Sequence, residues 1–127
     1  MFEKLELTRM AQALASHSGA RMGVIARNVA HADTPGYKAQ DLPAFAKVFA
    51  ADEGAMRATR AGHLSASSDA ATLIPEQAPG RESPNGNTVS LEGEMVKSVE
   101  ARQSHEMALA IYRASSDVIR ASLGRPR

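Results

Sequence analysis

The chain has no cysteine and no tryptophan, and only three Phe and two Tyr stand among its 127 residues. Without cysteine there is no disulfide framework, no Cys-ligated zinc site and no thiol nucleophile. With so few aromatics, little bulk is left to close a compact core, and Ala, Ser, Leu, Val and Met supply most of the apolar surface. That balance favours thin helix-on-helix packing, completed against partners. An excess of one charge is missing too: 15 basic and 14 acidic residues leave a net +1, so no overall field recruits nucleic acid or an anionic membrane. No run approaches the roughly 20 apolar residues of a membrane span. The N-terminal Met1-Phe2-Glu3-Lys4-Leu5-Glu6-Leu7 carries acids where a secretory leader is basic, and no apolar segment follows it. Any route out of the cytoplasm is therefore expected to leave the N-terminus uncleaved.

Proline is absent from both ends of the chain and concentrated in its middle. Between Phe2 and Ala30 there is none, and Leu7, Ala11, Leu14, Ser18, Met22, Ile25 and Val29 recur in steps of three and four, the stripe of an amphipathic helix. Gly19 and Gly23 weaken that helix by about 1 kcal/mol each and leave room for another backbone to come close. The helix should stop near His31 to Asp33, because Pro35 disfavours helical backbone at Thr34. Thr34-Pro35-Gly36-Tyr37 fits a type II turn, with Asp33 placed to bond backbone N–H groups just beyond it.

From Lys38 to Asn87 the periodicity collapses. A short helix is expected over Phe45 to Ala51, a short strand at Thr72-Leu73-Ile74, and a flexible loop over residues 75–86. Order returns at Ser90, a candidate N-cap, with Glu92 and Glu94 in the first helical turn. No proline interrupts Leu91 to Leu123. Leu91, Met95, Val99, Met107, Ile111, Ala114, Val118 and Ala121 form a drifting stripe, widened by Leu109, Tyr112, Ile119 and Leu123, and Gly124 ends the helix. The expected fold is mainly α. N- and C-terminal helices (residues 1–33 and 89–127) pair as an antiparallel, coiled-coil-like hairpin, and residues 34–88 form an irregular middle with short elements, the whole being one core unit. A two-helix pair cannot bury so wide a stripe, and the remainder is assigned to neighbouring subunits.

Nothing in the chain organises a reaction. His17, His31, His63 and His105 lie far apart without a ligand cluster, and read as solvated or helix-face residues rather than metal ligands. There is no G-x-S-x-G elbow, P-loop or G-x-G-x-x-G; Ser65, Ser67 and Ser68 fall in a low-complexity stretch, and the glycines between Gly80 and Gly86 are read as accidental. Asp52-Glu53 and Glu92/Glu94 are assigned to helix-end charge rather than to a catalytic dyad. No catalytic residue, cofactor or metal is expected.

Two segments carry a resemblance. Ala26-Arg27-Asn28-Val29-Ala30-His31-Ala32-Asp33-Thr34-Pro35-Gly36-Tyr37-Lys38 closely resembles the N-terminal signature of flagellar axial proteins of the rod and hook class, roughly A-x-N-[LIV]-A-N-x-[DNS]-T-P-G-Y-[KR]. The departure is His31, where that family usually has Asn. Asn85-Gly86-Asn87-Thr88-Val89-Ser90-Leu91-Glu92-Gly93-Glu94-Met95 resembles the family's [DN]-G-N-x-V-x-[LI]-x-x-E-M approach to its C-terminal helix. The order of these segments, the short length, the Phe2-Glu3-Lys4-Leu5 start and Thr59-Arg60-Ala61-Gly62-His63-Leu64 most resemble the proximal-rod subtype.

The resemblance implies a subunit exported unfolded through the flagellar type III apparatus without a cleaved signal, and polymerised in the periplasmic space as part of the basal-body rod. Implied partners are other flagellar rod proteins, the rod adaptor protein, the MS-ring protein, the export apparatus and further copies in a helical assembly. Neither nucleic acid nor a direct membrane span is expected. Asn28, Ala30, Asp33, Thr34, Pro35, Gly36 and Tyr37 carry the signature and set the exit angle of the chain. Leu14, Met22, Ile25, Leu91, Met95, Met107, Ile111 and Val118 are the expected assembly-packing residues. Another rod-class axial protein is the nearest alternative, and a soluble coiled-coil adaptor or export chaperone comes from a different class.

Overall fold

The computed structural model describes residues 2–53 and 73–124. In chain order it places α1 at Phe2–Ala30, β1 at Gln40–Asp41, α2 at Phe45–Glu53, β2 at Glu76–Gln77 and α3 at Leu91–Ser122. α1 and α3 carry most of the structure and pack along each other as an antiparallel pair. The direction follows from two cross-helix hydrogen bonds: Asn28 near the end of α1 reaches Glu94 near the start of α3, and His105 reaches the carbonyl of Ala15 at 3.1 Å. The expected hairpin of terminal helices is the observed fold.

Each helix ends where local chemistry requires. Beyond Ala30 the chain tightens into i→i+3 bonds, Ala32 N–H to Val29 O and Thr34 N–H to His31 O, before Pro35 stops it. Gly36 has φ +72°, and Tyr37 N–H bonds Thr34 O at 3.3 Å, as a type II turn demands. Asp33 is exposed and makes none of the expected backbone bonds among the described residues. At α3 the extended Ser90 (φ −107°, ψ 113°) accepts the Gly93 N–H on its hydroxyl, and Glu92 complements the helix dipole from the first turn. Gly124, φ +77°, closes the far end.

The seam between the helices is not the stripe of large residues. Buried positions on α1 include Ala11, Ser18 and Ile25, and on α3 Glu94, Ala101, Ala108 and Ser115, all seven apart. A strict seven-residue repeat of small side chains is the mark of a close left-handed pair, because small residues let the helix axes approach. The expected packing residues therefore divide. Ile25 is buried, Leu14, Met22 and Ile111 are half-buried, and Leu91, Met95, Met107 and Val118 lie on outer surfaces. Gly19 and Gly23 face outward, and a methyl group on either would meet nothing within 4 Å, so no backbone of this chain uses the room they leave.

The middle is more ordered than expected. α2 appears where Phe45 to Ala51 predicted it, running on to Glu53. The strand does not lie at residues 72–74: Leu73 and Ile74 are outside it, Thr72 lies beyond the described residues, and Glu76–Gln77 pairs antiparallel with Gln40–Asp41 instead. Local apolarity misled, since this ribbon is held by its partner strand and needs no apolar residues. Consequently residues 75–86 are not a free loop. Ala78 N–H bonds Ala39 O at 2.9 Å, and Ser83 N–H bonds Asn87 O at 2.8 Å. The Thr59 to Leu64 patch, His63, Ser65, Ser67 and Ser68 lie outside the described residues.

Candidate functional site

The two segments that resemble the axial family meet in space. Residues 28–41 leave α1, turn at Pro35-Gly36 and run back beside residues 85–89, and backbone bonds tie the two runs: Gly36 N–H to Asn85 O at 3.0 Å and Thr88 N–H to Tyr37 O at 3.1 Å. The Thr88 hydroxyl accepts the Ala39 N–H at 2.9 Å, and Lys38 Nζ donates to Gly86 O at 3.0 Å. Such close passage explains the glycines first read as accidental. A methyl on Gly80 would lie 2.7 Å from Thr88 O. Gly86 has φ +80° and sits against Gly36.

Two buried asparagines organise the junction. Asn28, fully buried, uses its whole hydrogen-bonding capacity. Its Nδ2 donates to Gln40 O (2.7 Å) and Glu94 Oε2 (2.9 Å), while its Oδ1 accepts Gln40 N–H (3.1 Å) and the Tyr37 hydroxyl (3.3 Å). One side chain thus joins α1, the turn, β1 and α3. Asn87 is the counterpart beyond the helix end, where the last carbonyls lack intrahelical donors. Its Nδ2 lies 2.9, 2.8 and 2.8 Å from the carbonyls of His31, Ala32 and Thr34, and its Oδ1 accepts Val89 N–H at 2.7 Å. Among these residues only Asn28 was singled out from the sequence. Asn87 stood in the second segment without a role, because its partners are carbonyls that no pattern displays.

A charged network continues from Asn28 along the seam. Glu94, buried, also takes Lys97 Nζ at 2.9 Å, and Lys97 approaches Asp41 at 3.7 Å. Asp41 receives Arg21 bidentately at 2.9 and 3.0 Å, and Arg21 lies 3.8 Å from Glu100. Burial by itself would raise the Asp41 carboxyl; the Arg21 hydrogen bonds, the Leu42 N–H and the charges of Arg21 and Lys97 outweigh it and hold the group below its ordinary value. The hydrogen bond from Asp41 in turn raises the Arg21 guanidinium above its usual value, against the opposing effect of burial. Glu94 is therefore an interhelix anchor rather than helix-end charge. The signal for it was its place in the seven-residue repeat with Ala101, Ala108 and Ser115.

The remaining signature residues form the outer rim. Ala30, Asp33, Thr34 and Pro35 are exposed, and His31, in place of the family's Asn, stacks on Tyr37 at 4.7 Å and contacts the Thr34 hydroxyl at 3.2 Å through Nδ1. Two other histidines tie elements together instead of being solvated: buried His17 donates from Nε2 to Pro43 O at 2.8 Å and packs edge-on to Phe45, and His105 donates to Ala15 O. Between α1, α3 and the β1–α2 link lies a groove of about 340 Å³, lined by residues including Leu14, His17, Leu42, Pro43 and Phe45. Among the described residues, no three His, Asp or Glu side chains gather as metal ligands, and no helix is long and apolar enough to cross a membrane. The arrangement can hold backbone in place; it presents no nucleophile beside a base. No protein-family model matches the chain, and a search of curated proteins finds no match to it.

Proposed function

We propose that this chain is a structural subunit of the bacterial flagellar basal-body rod, of the proximal-rod FlgB type, which assembles with other axial proteins to transmit torque for motility. One observation carries the reading: the two segments that resemble the axial signature, at opposite ends of the chain, interlock through Asn28 and Asn87 into a single rigid junction. A rod subunit works by shape, and such a junction fixes the angle at which the middle leaves the helix pair. Its partners are other rod proteins, the adaptor protein, the MS-ring protein and the export apparatus, and its place is the rod in the periplasmic space. Deleting the gene, scoring motility and imaging basal bodies is the test. We expect non-motile cells whose basal bodies lack a rod; normal rods in the deletion strain would overturn the proposal.

A second reading rests on the buried polar seam, which closes within one chain: a soluble coiled-coil adaptor or export chaperone. Motile deletion cells with full rods, together with a cooperatively melting helical monomer, would favour it.

A further inference from the structure

The first turns of α3 expose Leu91, Met95, Val96 and Val99 by 52, 70, 61 and 67%. Steps of four from Leu91 to Met95 to Val99 align three of them along about 12 Å of one helix edge, and Val96 widens it. Together they present roughly 450 Å² of surface, the size at which an apolar patch on a soluble monomer marks a contact site.

The groove beside Leu14, His17, Leu42, Pro43 and Phe45 is the matching concavity. It extends about 10 Å along α1 from Leu14 to Arg21, and its volume, about 340 Å³, holds roughly two or three aliphatic side chains. Its polar rim is already engaged, His17 with Pro43 O and Arg21 with Asp41, so what it lacks is an apolar occupant. The chain cannot supply this edge from itself. Ala101 and Ser104 line the groove from the α1-facing side of α3, whereas Met95 and Val99 are turned away from that seam on the same rigid helix.

We propose that the edge formed by Leu91, Met95, Val96 and Val99 of one copy seats in the Leu14–Phe45 groove of a second copy. This deepens the assembly reading above and rests on it. Because edge and groove are different surfaces, the contact is head-to-tail, leaving one free edge and one free groove for further copies, as a helical array requires. The patch supplies little more than half of the roughly 800 Å² per partner of a stable isolated pair, so the contact is weak between two copies and gains from repetition.

The cysteine-free sequence gives a clean test. Full-length Val99→Cys and Ser104→Cys chains are mixed at high concentration and oxidised, with Ser122→Cys at the far end of α3 as the control. The expected result is a mixed Val99–Ser104 cross-link at least about tenfold above the control pairing. Dominant Val99–Val99 cross-links would mean that patch meets patch, and they sink the groove assignment while leaving the assembly reading standing. Mixed cross-links no higher than the control sink it as well. The assembly reading fails separately, through normal rods in the deletion strain, whatever the cross-links show.

Discussion

At the scale of residues, two amides hold what the helices alone would not. Asn87 is the only side chain among those described that bonds the carbonyls of His31, Ala32 and Thr34. Replacing it with Ala strands three acceptors at a buried helix end. Asn87→Ala is expected to cost about 2–3 kcal/mol, a fall of roughly 10 °C in Tm by circular dichroism. Asn28→Asp should cost more, because a carboxylate there faces the buried Glu94 carboxylate and removes the amide that satisfied it. Equal Tm values for both variants and the parent would refute this account of the junction. The signature residues visible in the sequence are thus of two kinds. Asn28, Gly36 and Tyr37 make the junction, whereas Ala30, Asp33 and Pro35 sit on its rim, and the spacing of residues 28–37 does not distinguish them.

At the scale of elements, helix ends were legible and helix faces were not. Pro35, Ser90 and Gly124 act through neighbours a few residues away, so their effects can be read locally, and each helix stops where expected. The buried face of α3 was hidden because its seam is made of Ala, Ser and Glu, while the large side chains that dominate any hydrophobicity count point outward. The ribbon of β1 and β2 was missed for a related reason: Gln40, Asp41, Glu76 and Gln77 pair through backbone, with no apolar alternation to reveal it. A pair of substitutions separates seam from outer face. Ala108, fully buried, has no space for a larger side chain, and Ala108→Leu is expected to destabilise by about 1–3 kcal/mol. Met95→Ala, at 70% exposure, should stay within about 0.5 kcal/mol. Urea midpoints of the two variants check the assignment, and the reverse order would contradict it.

At the scale of the whole molecule, the network Arg21–Asp41–Lys97–Glu94–Asn28 couples α1, β1 and α3 into one unit, and this gives the fold a pH dependence. The Asp41 carboxyl is held below its ordinary value in the folded chain. Its contribution is therefore fully present above the unfolded-state value, near 4, and is lost as the pH falls through the lower folded value. Asp41→Asn is expected to be less stable than the parent at pH 7 and to lose less stability between pH 5 and pH 3. Chemical denaturation across that range measures it. Parallel profiles for the two proteins would show that Asp41 does not carry the effect.

The cap supplied by Asn87 also has a consequence in time. It reaches back across 53 to 56 residues to the carbonyls it satisfies. Closing a loop of that length costs about 3.5 kcal/mol in chain entropy before any bond repays it. A chain delivered N-terminus first, from a ribosome or through a narrow channel, therefore has its first helix end uncapped and its seam unpaired until the last third has emerged. Folding waits for the end of the message, and a chain held partway stays threadable.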